Sequence, residues 1–257
     1  MLRKQNSLVY SDYSIDSSAV LTGTGIIHPM IAAKAVPNDV TITNTSNMIL
    51  TGANMSGKST FLKALAINVL LAQTITVVFA KSFTITPFAL IASQMYIPDD
   101  VATRGESLFE AEMRRTHANL TAITRHNREN APTIIFMDEL FTSTNAVEGI
   151  SGSYAVLKAL GRSDNNLCLC TTHFAYLHNL ESTGRYKIYN MRVKYTRKGI
   201  HFPYQLKLGM TQQTIALELL KLEGFDEEII TEALSVKQHL LKNAALYTFD
   251  HTTKQSP

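Results

Sequence analysis

At 257 residues, 45% hydrophobic and 18% charged, the chain has the composition of an ordinary intracellular globular protein, long enough to bury a full α/β core with a small appendage. No apolar run approaches the roughly 18 uninterrupted residues of a membrane span. The opening Met1-Leu2-Arg3-Lys4-Gln5-Asn6 lacks the apolar stretch of a secretory signal, so the composition points to a soluble intracellular chain whose compartment is left open. A net charge of +3 permits contact with nucleic acid without arguing for it.

Residues 1–25 are polar, rich in Ser and Thr, and read as a loose lead-in or the remnant of a preceding domain. From Ile26 the pattern tightens. Predicted strands run over Val40 to Thr43, Met48 to Leu50, Ser82 to Ile85, Ile91 to Met95, Thr133 to Met137, Leu167 to Thr171, Lys187 to Tyr195 and Ile200 to Leu208. Predicted helices cover Ser59 to about Ala72, Leu108 to Asn127, Gly149 to Leu160 and two short stretches beyond Thr211. Alternation of strand and helix predicts a mostly parallel sheet covered on both faces. Lys198-Gly199 lies between two alternating runs and predicts an antiparallel hairpin. Cys168 and Cys170 alternate with Leu in a buried-looking strand and read as reduced core residues. His117, His126, His178 and His239 fall at no metal-ligand spacing. The tail from Asp250 to Pro257 is polar and reads as disordered.

The most informative stretch is Thr51-Gly52-Ala53-Asn54-Met55-Ser56-Gly57-Lys58-Ser59-Thr60. An apolar strand leads into it and a helix leaves it, the setting of a phosphate-binding loop whose successive backbone N–H groups turn inward around a phosphate. Lys58 can reach the β- and γ-phosphates of a nucleotide, and the Ser59 hydroxyl can ligate Mg²⁺. Downstream, an apolar strand ends in the adjacent acids Asp138 and Glu139. Asp138 then serves the metal and Glu139 the attacking water as general base, a pairing that favours hydrolysis over transfer to another acceptor. A third strand ends in Cys170-Thr171-Thr172-His173-Phe174, where His173 can sense the γ-phosphate or the water; capping of the next helix is the plain alternative. In Arg104-Gly105-Glu106-Ser107-Leu108-Phe109-Glu110, Ser107 and Glu110 form a capping box at a helix start. A helix start of this kind is also an anion site.

Together these segments resemble the ATPase domain of the MutS family of DNA mismatch repair proteins. The resemblance rests on TGANMSGKST, on Asp99-Asp100 with GESLFEAEM, and on MDEL followed by Glu148-Gly149. It also rests on TTHF and on the upstream Ile27-His28-Pro29 and Val36-Pro37-Asn38-Asp39, and it extends from about Ile26 to Leu241. It implies a P-loop NTPase fold of the ABC-ATPase-like class over residues 26–210, a helix-turn-helix dimerisation element over 211–242, and a tail from 243. It further implies ATP and Mg²⁺ as cofactors, two sites paired head to tail in a homodimer or a MutS-like heterodimer, and Ser107 acting in trans on the opposite γ-phosphate. Adenine is implied to lie between the Val36 to Asn38 segment and Tyr204.

The chain also departs from the family pattern. The Gly-Arg-Gly-Thr-Ser-Thr run expected after the two acids is replaced by Leu140-Phe141-Thr142-Ser143-Thr144-Asn145, which removes an arginine. The expected Lys-Ser-Tyr-Gly is replaced by Thr211-Gln212-Gln213-Thr214. These departures are more similar to the divergent branch found in large DNA viruses and coral mitochondria than to the bacterial repair enzyme. The length matches the ATPase segment without the mismatch-reading, connector, lever and clamp domains of a full MutS, so a fragment and a free-standing module both fit. The implied function couples ATP binding and hydrolysis to a DNA-bound dimer, with DNA met through the assembly or those other domains. Alternatives are an ABC- or SMC-like ATPase, weakened by the absence of Leu-Ser-Gly-Gly, and a dimerisation module without turnover, disfavoured by the intact Lys58, Ser59, Asp138, Glu139 and His173. Arg192, Lys194, Arg197 and Lys198 read first as a solvated basic hairpin edge.

Overall fold

A computed structural model describes residues 8–14, 18–95, 107–196, 199–211 and 215–244. Asp99, Asp100, Arg104 to Glu106, Arg197, Lys198, Gln212 to Thr214 and the Asp250 to Pro257 tail lie outside the described residues. The chain divides into two compact units, Met1–Gln213 and Thr214–Pro257.

In chain order, the first unit holds β1 (Leu8–Tyr10), β2 (Asp12–Tyr13), β3 (Val20–Ile26), β4 (Asn38–Thr43), β5 (Asn47–Gly52), α1 (Lys58–Ile75), β6 (Val77–Phe79), β7 (Ser82–Ile85) and β8 (Leu90–Gln94). Then come α2 (Leu108–Arg128), β9 (Thr133–Asp138), α3 (Ala146–Leu160), β10 (Asn166–Thr172), β11 (Tyr186–Met191), β12 (Lys194–Thr196), β13 (Gly199–His201) and β14 (Leu206–Leu208). The main sheet has the order β14-β11-β5-β10-β9-β8 and is parallel except for the antiparallel edge strand β14.

The central strands are continuously apolar because both faces of the sheet are covered. Met48, Leu50, Ile134, Phe136, Leu167 and Leu169 face α1 and the strands β3 and β4, while Ile49, Ile135, Met137, Cys168, Cys170 and Ile188 pack with α2, α3 and the short helix Ala175–Thr183. Both cysteines are free and fully buried, and burial pushes the Cys168 thiol up to about 12. Buried asparagines join the layers: the Asn68 amide on α1 donates to the Ile27 carbonyl, and its oxygen accepts from Phe79 N.

Several sequence expectations change. The stretch read as a loose lead-in contains β3, the strand that joins β4 and β7 in a second sheet of order β2-β7-β3-β4. Its glycines and threonines masked the alternation, yet Leu21 and Ile26 are buried in the core. The single strand expected from Lys187 to Tyr195 is two, β11 and β12, and that from Ile200 to Leu208 is also two, β13 and β14. Pro203 has no N–H for a ladder, and Tyr204 takes a left-handed φ of 54° that breaks the second run. The expected hairpin forms between β12 and β13.

The second unit contains α4 (Ala216–Leu222) and α5 (Glu227–Ala244), so the later helix is far longer than the sequence suggested. Glu227 and Glu228 open α5, where negative charge complements the helix dipole. Phe225, Ile229, Val236 and Leu240 are exposed. Among the described residues, no helix is long and apolar enough to cross a membrane.

Candidate functional site

Parallel strands deliver their carboxyl ends to one edge, and the order β5-β10-β9 sets three chemistry-bearing termini side by side. In register, Thr171 of β10 stands beside Asp138 of β9 and beside Leu50 of β5. A cavity of about 900 Å³ opens over this edge, lined among others by Asn54, Lys58, Ser59, Asp138, Glu139 and Tyr204. Its volume lies in the range of small-molecule and cofactor sites.

The loop from Gly52 to Gly57 links β5 to α1. Gly52 has φ 152°, and a Cβ there would lie 2.8 Å from both the Met191 carbonyl oxygen and Ser56 Oγ. Gly57 has φ 98°, and a Cβ would meet the Tyr204 ring at 2.9 Å, so glycine is what lets this ring close over the loop. Lys58 is 4% exposed; its ammonium donates to the carbonyls of Gly52 at 3.0 Å and Ala53 at 3.2 Å and lies 3.4 Å from Glu139 Oε1.

Ser59 Oγ donates to Asp138 Oδ1 at 3.0 Å, and the Thr171 hydroxyl donates to the same oxygen. Glu139 has φ 53°, and its N–H meets the Thr171 carbonyl at 3.0 Å and Thr171 Oγ1 at 3.2 Å. Beyond it, His173 Nδ1 lies 3.8 Å from Glu139 Oε2. The His173 imidazole, with help from the Lys58 ammonium, holds the Glu139 carboxyl below its ordinary value against the opposing effect of burial. Among the described residues, no cluster of three or more His, Cys, Asp or Glu side chains could hold a metal by itself. The paired Ser59 and Asp138 oxygens are hard donors of the kind Mg²⁺ takes when a phosphate supplies further ligands, so these residues fit it.

At the upper wall, the Asn38 amide donates to the carbonyls of Val36 at 3.1 Å and Tyr204 at 3.0 Å and accepts from Leu206 N at 2.6 Å. Asn38 thus ties the two sides of the cleft together, with its amide committed to backbone. Tyr204 is 44% exposed and stacks on Phe202 with centroids 6.0 Å apart. Ser107, at the start of α2, accepts from Glu110 N at 3.2 Å, while the Glu110 carboxylate takes the Ser107 N–H and hydroxyl. The expected capping box is present.

Gln94, Glu112 and Ser143 also line the cavity and were missed in the sequence. Glu112 is 8% exposed, and its carboxylate accepts from Phe141 N at 3.2 Å and from the Ser143 hydroxyl. Thr116 donates to Gln94 Oε1 at 3.0 Å and to the Glu112 carbonyl at 2.8 Å. Glu112 thereby latches α2 to the loop that follows Glu139, where Phe141 is held at φ 57°. Replacement of Glu112 by Ala strands the Phe141 N–H, and we expect a loss of about 2 kcal/mol in chemical denaturation. The sequence signal was faint: an acid one helical turn before Thr116 on an otherwise amphipathic face.

With this geometry established, a family model of MutS domain V matches residues 48–241. The chain belongs to the MutS family. It is 31% identical over 221 residues, 84% of its length, to the DNA mismatch repair protein MutS of Halothermothrix orenii. It is likewise 31% identical over 83% of its length to that of Aquifex pyrophilus, and 30% identical over 81% to the DNA mismatch repair protein MSH3 of Saccharomyces cerevisiae. The chain spans only 24%, 25% and 21% of those relatives and leaves most of their length unmatched.

Proposed function

We propose that this MutS-family domain is a P-loop NTPase that hydrolyses ATP with Mg²⁺ and couples the cycle to a dimer acting on DNA in mismatch repair or related maintenance. The observation that carries the reading is the convergence of Lys58, Ser59, Asp138 and Glu139 on one sheet edge at a cavity large enough for a nucleotide, with His173 beside Glu139. Lys58 leaves the Gly52 and Ala53 carbonyls to meet the β- and γ-phosphates, helped by the loop N–H groups and the start of α1. Mg²⁺, held through Ser59 and Asp138, supplies charge neutralisation on the phosphates when bound. Glu139 orients the attacking water, and the His173 imidazole beside it holds its carboxyl below the ordinary value, which favours the ionised form. His173 stands close enough to Glu139 to join the same water network.

Tyr204 closes the opposite side against adenine, with the backbone near Val36 facing it and Asn38 fixing both. Tyr204→Ala is therefore expected to weaken ATP binding several-fold with little change in melting temperature; an equal loss of both would remove it from the adenine site. The apolar residues left exposed on α5 suit a dimer contact, identical or MutS-like in partner, and DNA is met through that assembly or domains outside this segment. The test is ATP turnover with and without DNA, alongside sizing with a non-hydrolysable ATP analogue. Absence of turnover under both conditions would leave only a nucleotide-dependent dimerisation module.

Ser107 offers a separate check of the trans arrangement. Its hydroxyl is committed to Glu110 within one chain, so it must exchange the Glu110 carboxylate for the partner's γ-phosphate. Ser107→Ala removes the cap and the trans donor together, costing about 1 kcal/mol of stability and lowering turnover. Glu110→Ala frees the Ser107 hydroxyl and should destabilise α2 without the same loss of turnover. Equal turnover defects in the two variants would reduce Ser107 to a cap.

A further inference from the structure

We infer that Thr171 is a positioning residue that fixes both acids of the site, setting Asp138 for the metal and Glu139 for the water. The inference rests on the ATPase reading and deepens it.

Thr171 is fully buried at the carboxyl end of β10, in direct register with Asp138 on the neighbouring strand. One hydroxyl performs two tasks of opposite sense. It donates its proton to Asp138 Oδ1 and accepts the Glu139 N–H at 3.2 Å, which the Thr171 carbonyl also accepts at 3.0 Å. The first bond orients a carboxylate whose other partner at this oxygen is the Ser59 hydroxyl. Ser59 must turn its lone pair toward an arriving cation, whereas Thr171, fully buried on the adjacent strand, can keep its bond through the cycle. Asp138 then presents an oxygen to the metal from a fixed rotamer. Partners of this kind behind metal ligands commonly govern metal affinity.

The second bond acts on the backbone. Glu139 sits at φ 53°, a left-handed conformation that a non-glycine residue keeps only when its surroundings impose it. Two acceptors from Thr171 on one N–H impose it here, and they aim the Glu139 side chain between Lys58 and His173. Valine matches threonine in shape and removes only the hydroxyl. It leaves Glu139 with the carbonyl acceptor alone and Asp138 without its buried donor.

The experiment compares the parent chain with Thr171→Val and Thr171→Ser in three measurements: melting temperature, ADP affinity with and without Mg²⁺, and the Mg²⁺ dependence of ATP turnover. For Thr171→Val we expect ADP affinity in EDTA within about twofold of the parent, because the phosphate loop is untouched. The Mg²⁺ concentration that strengthens ADP binding should rise roughly 10-fold or more, and kcat should fall about 10- to 100-fold with a smaller change in KM. Thr171→Ser, which keeps the hydroxyl, should recover most of both. Parent-like Mg²⁺ dependence and kcat in Thr171→Val would overturn the assignment. A folded Thr171→Ser as defective as Thr171→Val would also do so, and it decides the matter if the valine variant does not fold. If the parent binds ADP and Mg²⁺ but does not hydrolyse ATP, the ATPase reading fails while the Mg²⁺ titration still judges Thr171.

Discussion

Glu139→Gln is expected to leave ATP bound and to lower turnover by roughly 100- to 10,000-fold, the range that a positioned general base supplies. Glutamine preserves the length of the side chain and tolerates the same backbone position, but it cannot take a proton from water. Binding should hold or tighten. The Glu139 carboxylate lies 3.4 Å from the Lys58 ammonium, and an incoming γ-phosphate must share that cation with a like charge; the amide removes the competition. Single-turnover measurement of bound ATP separates this result from a binding defect. Hydrolysis near the parental rate would exclude Glu139 as the base. The pH dependence gives a second check. Because the folded carboxyl titrates below its ordinary 4.5, Glu139 favours folding at pH values above 4.5, and that contribution fades as pH falls below it. Glu139→Gln should therefore flatten the acid side of the stability curve.

The parts of the site that were legible in the sequence are those where one short segment carries its own chemistry. Gly52 to Ser59 announces a turn, a cation and a hydroxyl before a helix, and the apolar run ending at Asp138 and Glu139 announces a strand end. The capping box at Ser107 was equally local, and the structure shows both of its hydrogen bonds. The relations across strands could not be read this way. Thr171 acquires its partners because β10 lies between β5 and β9, an order that no single segment encodes. Glu112 carries no local signal of its role, which arises only where the loop after Glu139 folds onto it. Asn38 was expected at the nucleotide, and it lines the cavity, yet its amide is taken up by Val36, Tyr204 and Leu206. The fold shows the same division. Strands buried on both faces declared themselves by apolar runs, whereas β3 was hidden by Thr22, Gly23, Thr24 and Gly25, which alternate with only a few core side chains.

Replacement of Lys58 by Ala is expected to abolish tight ATP binding, weakening it by roughly 100-fold or more through loss of charge-assisted bonds worth about 3 kcal/mol. The resting geometry shows how this cation is placed for the task. The ammonium is held inside the loop by the Gly52 and Ala53 carbonyls, and the residue is 4% exposed. Its removal also leaves Glu139 facing the phosphate without a shared cation. Titration with a fluorescent ATP analogue measures the change, and unaltered affinity would end the phosphate-loop assignment. The same variant then tests whether sites are shared between chains. In a mixed dimer of Lys58→Ala with Ser107→Ala, one composite site carries both lesions and the other carries neither, if Ser107 acts on the opposite nucleotide. Turnover should reappear on mixing two chains that are each inactive or weak alone, approaching half of the parental rate per mixed dimer if each site turns over independently. If Ser107 acts only within its own chain, every site in the mixture keeps one lesion and mixing restores nothing. Sizing must show mixed dimers for the comparison to count, and failure to recover turnover in their presence would argue against the trans role or against independent sites.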